Sequence, residues 1–127
     1  MTAFLTLVEV LAIHEDQIER YGGSQGVRDF GLIQAALYRP QTGYYKDVIQ
    51  QAAALWESFS ENPPFVDGNK RVGFAVAYVF LALNGLIITA DPFSAYEEII
   101  GWYERNEFNF VQVESWLREN TESADSK

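Results

Sequence analysis

The chain has 127 residues, with 18 acidic and 9 basic side chains, one histidine and no cysteine. This length is typical of one domain, and the lack of cysteine excludes disulfides, thiol nucleophiles and thiolate metal sites. A hydrophobic content of 48% argues against an intrinsically disordered chain, and a net charge of −9 argues against binding to a nucleic-acid backbone. We therefore expect one folded domain over residues 1–127, located in the cytoplasm, without direct contact to nucleic acid.

Two apolar segments could be mistaken for export or membrane signals. Residues 1–13 lack a basic leading segment and include Glu9, so they predict an amphipathic helix rather than a signal peptide. Residues 72–90 carry no charged side chain and are long enough to span a bilayer, but Asn84 and Gly85 interrupt them as a helix end would. The sequence therefore predicts no membrane-spanning segment.

The first two predicted helices have start and stop signals. Thr6 and Glu9 have the spacing of a capping box, and apolar residues then recur at helical spacing until Gly22. Asp29 is a candidate N-cap for the second helix, and Pro40 ends it. Both helices are amphipathic, so each predicts one face packed against a core.

Turn formers and aromatic residues follow at residues 40–47 and predict an exposed loop or a short hairpin. Asp47 can cap a third helix, which must end at residues 62–64 because proline restricts itself and the residue before it. A fourth helix, over about residues 68–84, is apolar on nearly all sides. We expect the other helices to pack around it.

Two further helices complete the predicted compact all-α bundle. Asp91 and Pro92 have the N-cap and N1 pairing for the fifth helix, whose inward face would include Tyr96. Asn109 opens the sixth helix. The polar tail, residues 120–127, is predicted to be disordered, and strand content should be minimal. Three tryptophans are expected in the core: Trp56, Trp102 and Trp116.

The scarce basic residues indicate a candidate anion site. Lys70 and Arg71 are adjacent at the start of the predicted fourth helix, directly behind Asp67, Gly68 and Asn69. A helix N-terminus has free N–H groups and a dipole that favours anions, and glycine lets the backbone approach closely. This composition predicts a phosphate cradle, with Asp67 as a candidate Mg²⁺ ligand. The alternative is that Asp67 only caps the helix and that Lys70 and Arg71 form a solvated first turn.

The segment that contains these residues resembles a known signature. Residues 62–71 read Asn-Pro-Pro-Phe-Val-Asp-Gly-Asn-Lys-Arg, which is similar to the His-Pro-Phe-x-Asp-Gly-Asn-Lys-Arg signature of the death-on-curing (Doc) branch of the Fic/Doc superfamily. Further blocks occur in the order expected of that branch: Ala12-Ile13-His14, Tyr21-Gly22-Gly23, Gly26-Val27-Arg28-Asp29, Ala35-Ala36-Leu37, Ala52-Ala53-Ala54-Leu55 and Phe80-Leu81-Ala82-Leu83-Asn84-Gly85. The resemblance covers most of residues 4–119 and implies a Fic/Doc-like helical bundle.

This resemblance implies the toxin of a bacterial toxin-antitoxin pair, with a cognate antitoxin protein as its partner. Members of the superfamily with glycine at the position of Lys70 usually transfer AMP, whereas the Doc branch, with lysine there, is known as a protein kinase. Lys70 therefore favours transfer of the ATP γ-phosphoryl group to a threonine hydroxyl of translation elongation factor Tu, which arrests translation. The alternatives are an AMP-transferring enzyme and a non-catalytic module that binds the antitoxin or the target.

The resemblance also implies a role for each signature residue. Asp67 would bind Mg²⁺. Gly68 and Asn69 would line the anion cradle, while Lys70 and Arg71 would neutralise the phosphates of ATP. The loop before the third helix resembles the superfamily's flap, which aligns the target segment, although an ordinary surface turn is the alternative. The flap residues would be Thr42, Gly43, Tyr44, Tyr45 and Lys46.

The chain departs from the signature at its first position, where Pro63 stands in place of the histidine that takes the proton from the target hydroxyl. Proline has no titratable group, so it cannot supply general-base catalysis, which contributes about 10²- to 10⁴-fold. We therefore expect this chain to be inactive as an enzyme. Because the rest of the signature is intact, we favour a recent or deliberate inactivation over a naturally inactive binding protein. The single histidine, His14, is expected to form a structural hydrogen bond rather than to replace the missing base.

Overall fold

The computed structural model of the chain describes residues 1–126. Over that range it contains six α-helices and two three-residue strands, which confirms the predicted all-α class. In chain order, the elements are α1 (Leu7–Tyr21), α2 (Phe30–Tyr38), a 3₁₀ helix (Arg39–Thr42), α3 (Val48–Glu61), α4 (Asn69–Leu83), β1 (Leu86–Ile88), α5 (Pro92–Glu104), α6 (Phe110–Asn120), β2 (Thr121–Ser123) and a second 3₁₀ helix (Ala124–Ser126).

Five of these helices start with a side chain that accepts a hydrogen bond from the first turn, as the sequence predicts. The capping side chains are Thr6, Asp29, Asp47, Asp91 and Asn109. Thr6 and Glu9 also form the complete predicted capping box. The exception is α4, which begins after Gly68 and, within residues 1–126, has no side-chain cap. Its first backbone N–H groups therefore have no partner of this kind.

The centre of the bundle is shared by α3 and α4. Gly73 of α4 lies against Trp56 of α3, because a Cβ atom there would come within 3.1 Å of the Trp56 carbonyl oxygen. The predicted central helix is thus present as α4, and α3 lies beside it in the core. On α4, Tyr78 and Leu83 are 47% and 48% exposed, whereas α3 buries most of its residues. The three tryptophans lie in the core as predicted: Trp56, Trp102 and Trp116.

The structure decides one local alternative and corrects one local expectation. Of the loop and the hairpin predicted for residues 40–47 it shows the loop; the buried Pro40 lies in the 3₁₀ helix, whose end is Gly43 in the left-handed conformation. Proline favours such a tight turn because its φ is fixed near the helical value. In α5, Tyr96 points outward and is 67% exposed, while Ala95 and Trp102 form the buried face.

The predicted disorder of residues 120–127 is wrong over residues 121–126, while residue 127 lies outside the described part of the chain. β2 pairs antiparallel with β1, so that Ile88 faces Thr121 and Leu86 faces Ser123. Backbone N–H and C=O groups need partners, and the short strand after α4 offers them to the tail. The pairing joins the end of α6 to the end of β1, where Thr89 N–H donates to the Asn120 carbonyl at 2.7 Å, and it brings Ala124 to Gly85 at the end of α4.

Candidate nucleotide site

The loop between α3 and α4 follows a path that is set by backbone pairing with residues 26–29. The backbone N–H groups of Arg28 and Asp29 donate to the carbonyl oxygen of Pro64 at 2.7 and 2.9 Å, and Val66 N–H donates to Gly26 at 3.1 Å. Phe65 lies between these bonds and is only 1% exposed. It therefore anchors the loop in the core.

Asn69 closes this loop on itself. Its side-chain oxygen accepts from the Phe65 N–H at 2.9 Å, and its side-chain nitrogen donates to the Phe65 carbonyl at 3.0 Å. Both polar ends of the amide are thus engaged within the loop. Of the atoms of Asn69, the backbone N–H is the donor best placed to line an anion cradle.

His14 supports the loop from α1. Its Nε2–H donates to the carbonyl oxygen of Asp67 at 2.9 Å, and its ring stacks on Phe65 with centroids 3.8 Å apart and an interplanar angle of 5°. The side chain is 3% exposed. This geometry agrees with the expected structural role of His14, and it makes the predicted catalytic segment depend on α1.

The carboxylate of Asp67 is held by two backbone donors. It accepts from Ser24 N–H at 3.1 Å and from Gly68 N–H at 2.8 Å. The bond from Ser24, followed by the bond from Gly68, lowers the pKa of Asp67, so this exposed carboxyl stays ionised. Gly23 must be glycine here because a Cβ atom would lie 2.7 Å from an Asp67 oxygen. The helix cap is Gly68, so the interpretation of Asp67 as the N-cap of α4 does not hold.

The start of α4 is open to a ligand. Gly68 has a φ of 75°, in the left-handed region, and its carbonyl accepts the first helical bond, from Val72 N–H at 2.9 Å. The N–H groups of the preceding turn have no partner inside the helix. Together with the helix dipole, they favour a negatively charged group at this end.

The two adjacent cations have different environments. The Arg71 guanidinium donates to the carbonyl oxygens of Gly22 at 2.9 Å and Gln17 at 3.3 Å, at the end of α1. The Lys70 ammonium lies 4.5 Å from the centre of the Tyr103 ring and forms no ion pair within residues 1–126. The Lys70 ammonium is therefore more available than the Arg71 guanidinium to bind an anion.

These residues surround one open cavity of about 410 Å³. The residues that line it are Ser60, Pro63, Val66, Asp67, Gly68, Asn69, Lys70 and Arg71. The structure thus brings together the signature residues with a predicted role in the site, which are Pro63, Asp67, Gly68, Asn69, Lys70 and Arg71. Among residues 1–126 there is no cluster of three or more potential metal-ligating side chains. A Mg²⁺ ion at Asp67 would therefore share its remaining coordination with phosphate oxygens and water, which is the arrangement that Mg²⁺ favours.

Pro63 lies half-buried on the cavity wall, where the resemblance places the histidine base. Its carbonyl oxygen accepts a hydrogen bond from the Arg28 guanidinium. Arg28, from the segment before α2, therefore braces the signature loop. His14 is already committed to the Asp67 carbonyl and is buried, so it does not take over the role of a base.

The predicted flap residues lie apart from the lining of this cavity. Tyr45 accepts a hydrogen bond from the Arg39 side chain at 2.5 Å and packs against Phe110, with ring centres 5.6 Å apart. Lys46 N–H donates to the side chain of Gln50 at 2.8 Å. Tyr44 is 81% exposed. The structure thus attaches the loop to α3 and α6, and its role in docking a target stays a prediction.

Sequence reasoning missed two residues beside the site. Ser60 lies on the cavity wall, and its hydroxyl is 2.8 Å from the hydroxyl of Tyr103, which in turn lies under Lys70. Neither residue belongs to a recognisable motif, and Tyr103 comes from α5, so no local signal could have identified the pair.

No helix among residues 1–126 has the length and hydropathy needed to cross a membrane.

Comparison with known proteins agrees with this geometry. The model of the Fic/DOC family matches residues 4–81, which is more than half of the chain. The chain therefore belongs to the Fic/Doc family. Its relatives include Toxin Doc of Mycolicibacterium smegmatis, 46% identical over 76 residues that cover 56% of this chain and 58% of that protein. Protein kinase doc of Escherichia phage P1 is 32% identical over 88 residues, which cover 66% of this chain and 70% of the phage protein.

These two relatives confirm the predicted relation to Doc proteins within the family. The match spans less than two thirds of the length of the mycobacterial relative. The family model, over residues 4–81, includes α1, α2, α3 and most of α4, and hence the whole signature loop. The residues that build the cavity thus lie in the matched part, whereas Tyr103 lies beyond it.

Proposed function

We propose that this chain is a Doc-type toxin whose active form transfers the γ-phosphoryl group of ATP to a threonine hydroxyl of elongation factor Tu, and that Pro63 disables the transfer here. The observation that carries the proposal is the uncapped start of α4 beside Lys70 and the ionised Asp67. The names of the two relatives, a toxin and a protein kinase, support the same class of activity.

The residues of the cavity fit the phosphates of ATP. The free N–H groups of the first turn of α4 would donate to phosphate oxygens, and Lys70 would supply a positive charge. Asp67 would hold Mg²⁺ through the carboxylate lone pairs that Ser24 and Gly68 do not use. ATP supplies the phosphoryl group, and Mg²⁺ neutralises its charge. Such transfer depends mainly on positioning and charge neutralisation, which this rigid loop provides.

The missing part is the acceptor of the hydroxyl proton. A base at position 63 would stand on the cavity wall near the start of α4. Proline offers no site for that proton, so the expected loss is about 10²- to 10⁴-fold in rate. Binding of nucleotide does not require the base, and we expect it to persist in the chain with Pro63.

The test restores the base. Pro63→His is expected to arrest bacterial growth and to modify elongation factor Tu in the presence of Mg²⁺ and ATP. Pro63→Ala is the matched control, because it removes the proline ring without supplying a base, and it should remain inert. Mass analysis of the target separates added phosphate from added AMP, the outcome expected of the AMP-transferring alternative. If Pro63→His is harmless and leaves the target unmodified, the kinase proposal fails.

Pro63 also favours a second candidate function, a non-catalytic module that binds a cognate antitoxin or the target. Calorimetry separates the two proposals. If neither ATP nor ADP binds with Mg²⁺ in this chain or in Pro63→His, the cavity is not a nucleotide site and the binding module is the better account. The antitoxin partner belongs to both proposals, and co-purification with the product of an adjacent gene tests it.

A further inference from the structure

We propose that Tyr103 is a positioning residue that holds the Lys70 ammonium beside the phosphate cavity. The proposal rests on the proposed function, because it assigns a purpose to the lysine that separates the phosphoryl-transferring branch from the AMP-transferring one. It concerns α5, which lies outside the signature and outside the part of the chain matched by the family.

The contact itself is geometrically favourable. The Lys70 nitrogen is 4.5 Å from the centre of the Tyr103 ring, inside the distance of about 6 Å at which the face of an aromatic ring attracts a cation. Within residues 1–126, Lys70 has no carboxylate partner that would compete with this ring. The ring is therefore the group that determines where the ammonium rests.

The ring is itself firmly held. The Tyr103 hydroxyl is 2.8 Å from the Ser60 hydroxyl, and the ring stacks on Phe108 with centres 4.6 Å apart and an interplanar angle of 14°. Burial raises the pKa of Tyr103, so the ring remains neutral at physiological pH. Ser60 also lines the cavity, so this anchored ring stands directly behind its wall.

The consequence is preorganisation of the cation. A lysine side chain has four rotatable bonds and loses much conformational freedom when its ammonium is fixed on a phosphate. A ring that already limits its positions reduces the loss on binding. Arg71 needs no such support, because two carbonyl groups at the end of α1 hold its guanidinium. Tyr103 would thus restrain the Lys70 ammonium, as the carbonyl groups at the end of α1 restrain the Arg71 guanidinium.

The direct test is a spectrum of the three lysines of the chain, Lys46, Lys70 and Lys127. Protons above the face of an aromatic ring are shifted upfield, so the ε-CH₂ signal of Lys70, assigned with Lys70→Arg, should lie upfield of that of Lys46. The shift should persist in Tyr103→Phe and disappear in Tyr103→Leu. If Lys70 and Lys46 coincide in the unsubstituted chain, the proposal is overturned, and this comparison requires neither Tyr103 variant to fold.

A second measurement links the ring to binding. Calorimetry with Mg²⁺ and ATP should give a Kd about two- to fivefold weaker for Tyr103→Leu, because the lysine side chain is then no longer restrained before it binds. Tyr103→Phe should stay within about twofold of the unsubstituted chain, since it keeps the ring face. Equal affinities of the Leu and Phe variants would refute the positioning role. A Lys70 shift without any nucleotide binding would instead refute the proposed function and leave the ring contact established.

Discussion

Replacement of His14 tests whether α1 supports the signature loop. His14→Leu removes the donor to the Asp67 carbonyl and the ring that stacks on Phe65. The side chain is 3% exposed, so water cannot easily take the place of the lost donor. Because leucine is of similar size and apolar, the substitution leaves the hydrophobic contact of α1 largely intact. The loss then reports the hydrogen bond and the ring stacking.

The expected cost follows from these two contacts. A buried carbonyl that loses its donor costs about 1–3 kcal/mol, and a stacked ring pair contributes about 0.5–1.5 kcal/mol. We therefore expect a loss of about 2–4 kcal/mol in the free energy of unfolding. With an unfolding entropy of about 2.1 cal/mol/K per residue, this loss corresponds to a decrease in Tm of roughly 7–15 °C for a chain of this size.

Urea unfolding followed by circular dichroism measures the loss, and two further variants divide it. His14→Phe keeps the stacked ring without the donor, whereas His14→Gln keeps a donor without the ring. Both should be less stable than the unsubstituted chain and more stable than His14→Leu. If His14→Phe is as stable as the unsubstituted chain, the bond to the Asp67 carbonyl contributes nothing and this part of the support from α1 is refuted.

Two other substitutions probe the surroundings of Asp67. Gly23→Ala should cost about 1–3 kcal/mol and weaken Mg²⁺-ATP binding, because φ is 118° and the new Cβ would lie 2.7 Å from an Asp67 oxygen. Gly85→Ala is the control, because Gly85 also has a positive φ, of 82°, but no atom lies within 4 Å of the added Cβ. If Gly23→Ala is as stable as Gly85→Ala, the steric argument is contradicted. Asp67→Asn tests the lowered pKa of Asp67. The ionised Asp67 carboxylate stabilises the fold above the unfolded-state pKa of about 3.9, and this stabilisation is lost as the pH falls through the lower folded-state pKa. In urea titrations, the stability difference between Asp67→Asn and the unsubstituted chain should therefore shrink between pH 6 and pH 3. A difference that does not vary with pH would show that the ionised carboxylate does not stabilise the fold.

Much of the fold could be predicted because its signals are local. A cap such as Asp47 or Asn109 acts on a backbone N–H three residues away, and proline at position 64 ends a helix by its own geometry. The capping box at Thr6 needs nothing beyond the first turn of α1. Local signals failed at the tail, because the pairing of β2 depends on a strand that lies far away in sequence.

The candidate site likewise has features that contiguous residues predict and features that depend on distant elements. By sequence alone, the contiguous run of residues 67–71 predicted adjacent cations and an acid at a helix start, and the resemblance marked the loss of the histidine base at Pro63. Only the structure showed that Asp67 does not cap this helix. Tertiary structure decided how the two cations differ: Arg71 is held by the end of α1, and Lys70 rests on Tyr103 of α5. It also decided that His14 bonds the backbone of Asp67. Chain order specifies which chemical groups stand side by side along a helix, but the direction and freedom of each side chain depend on whichever distant element packs against it.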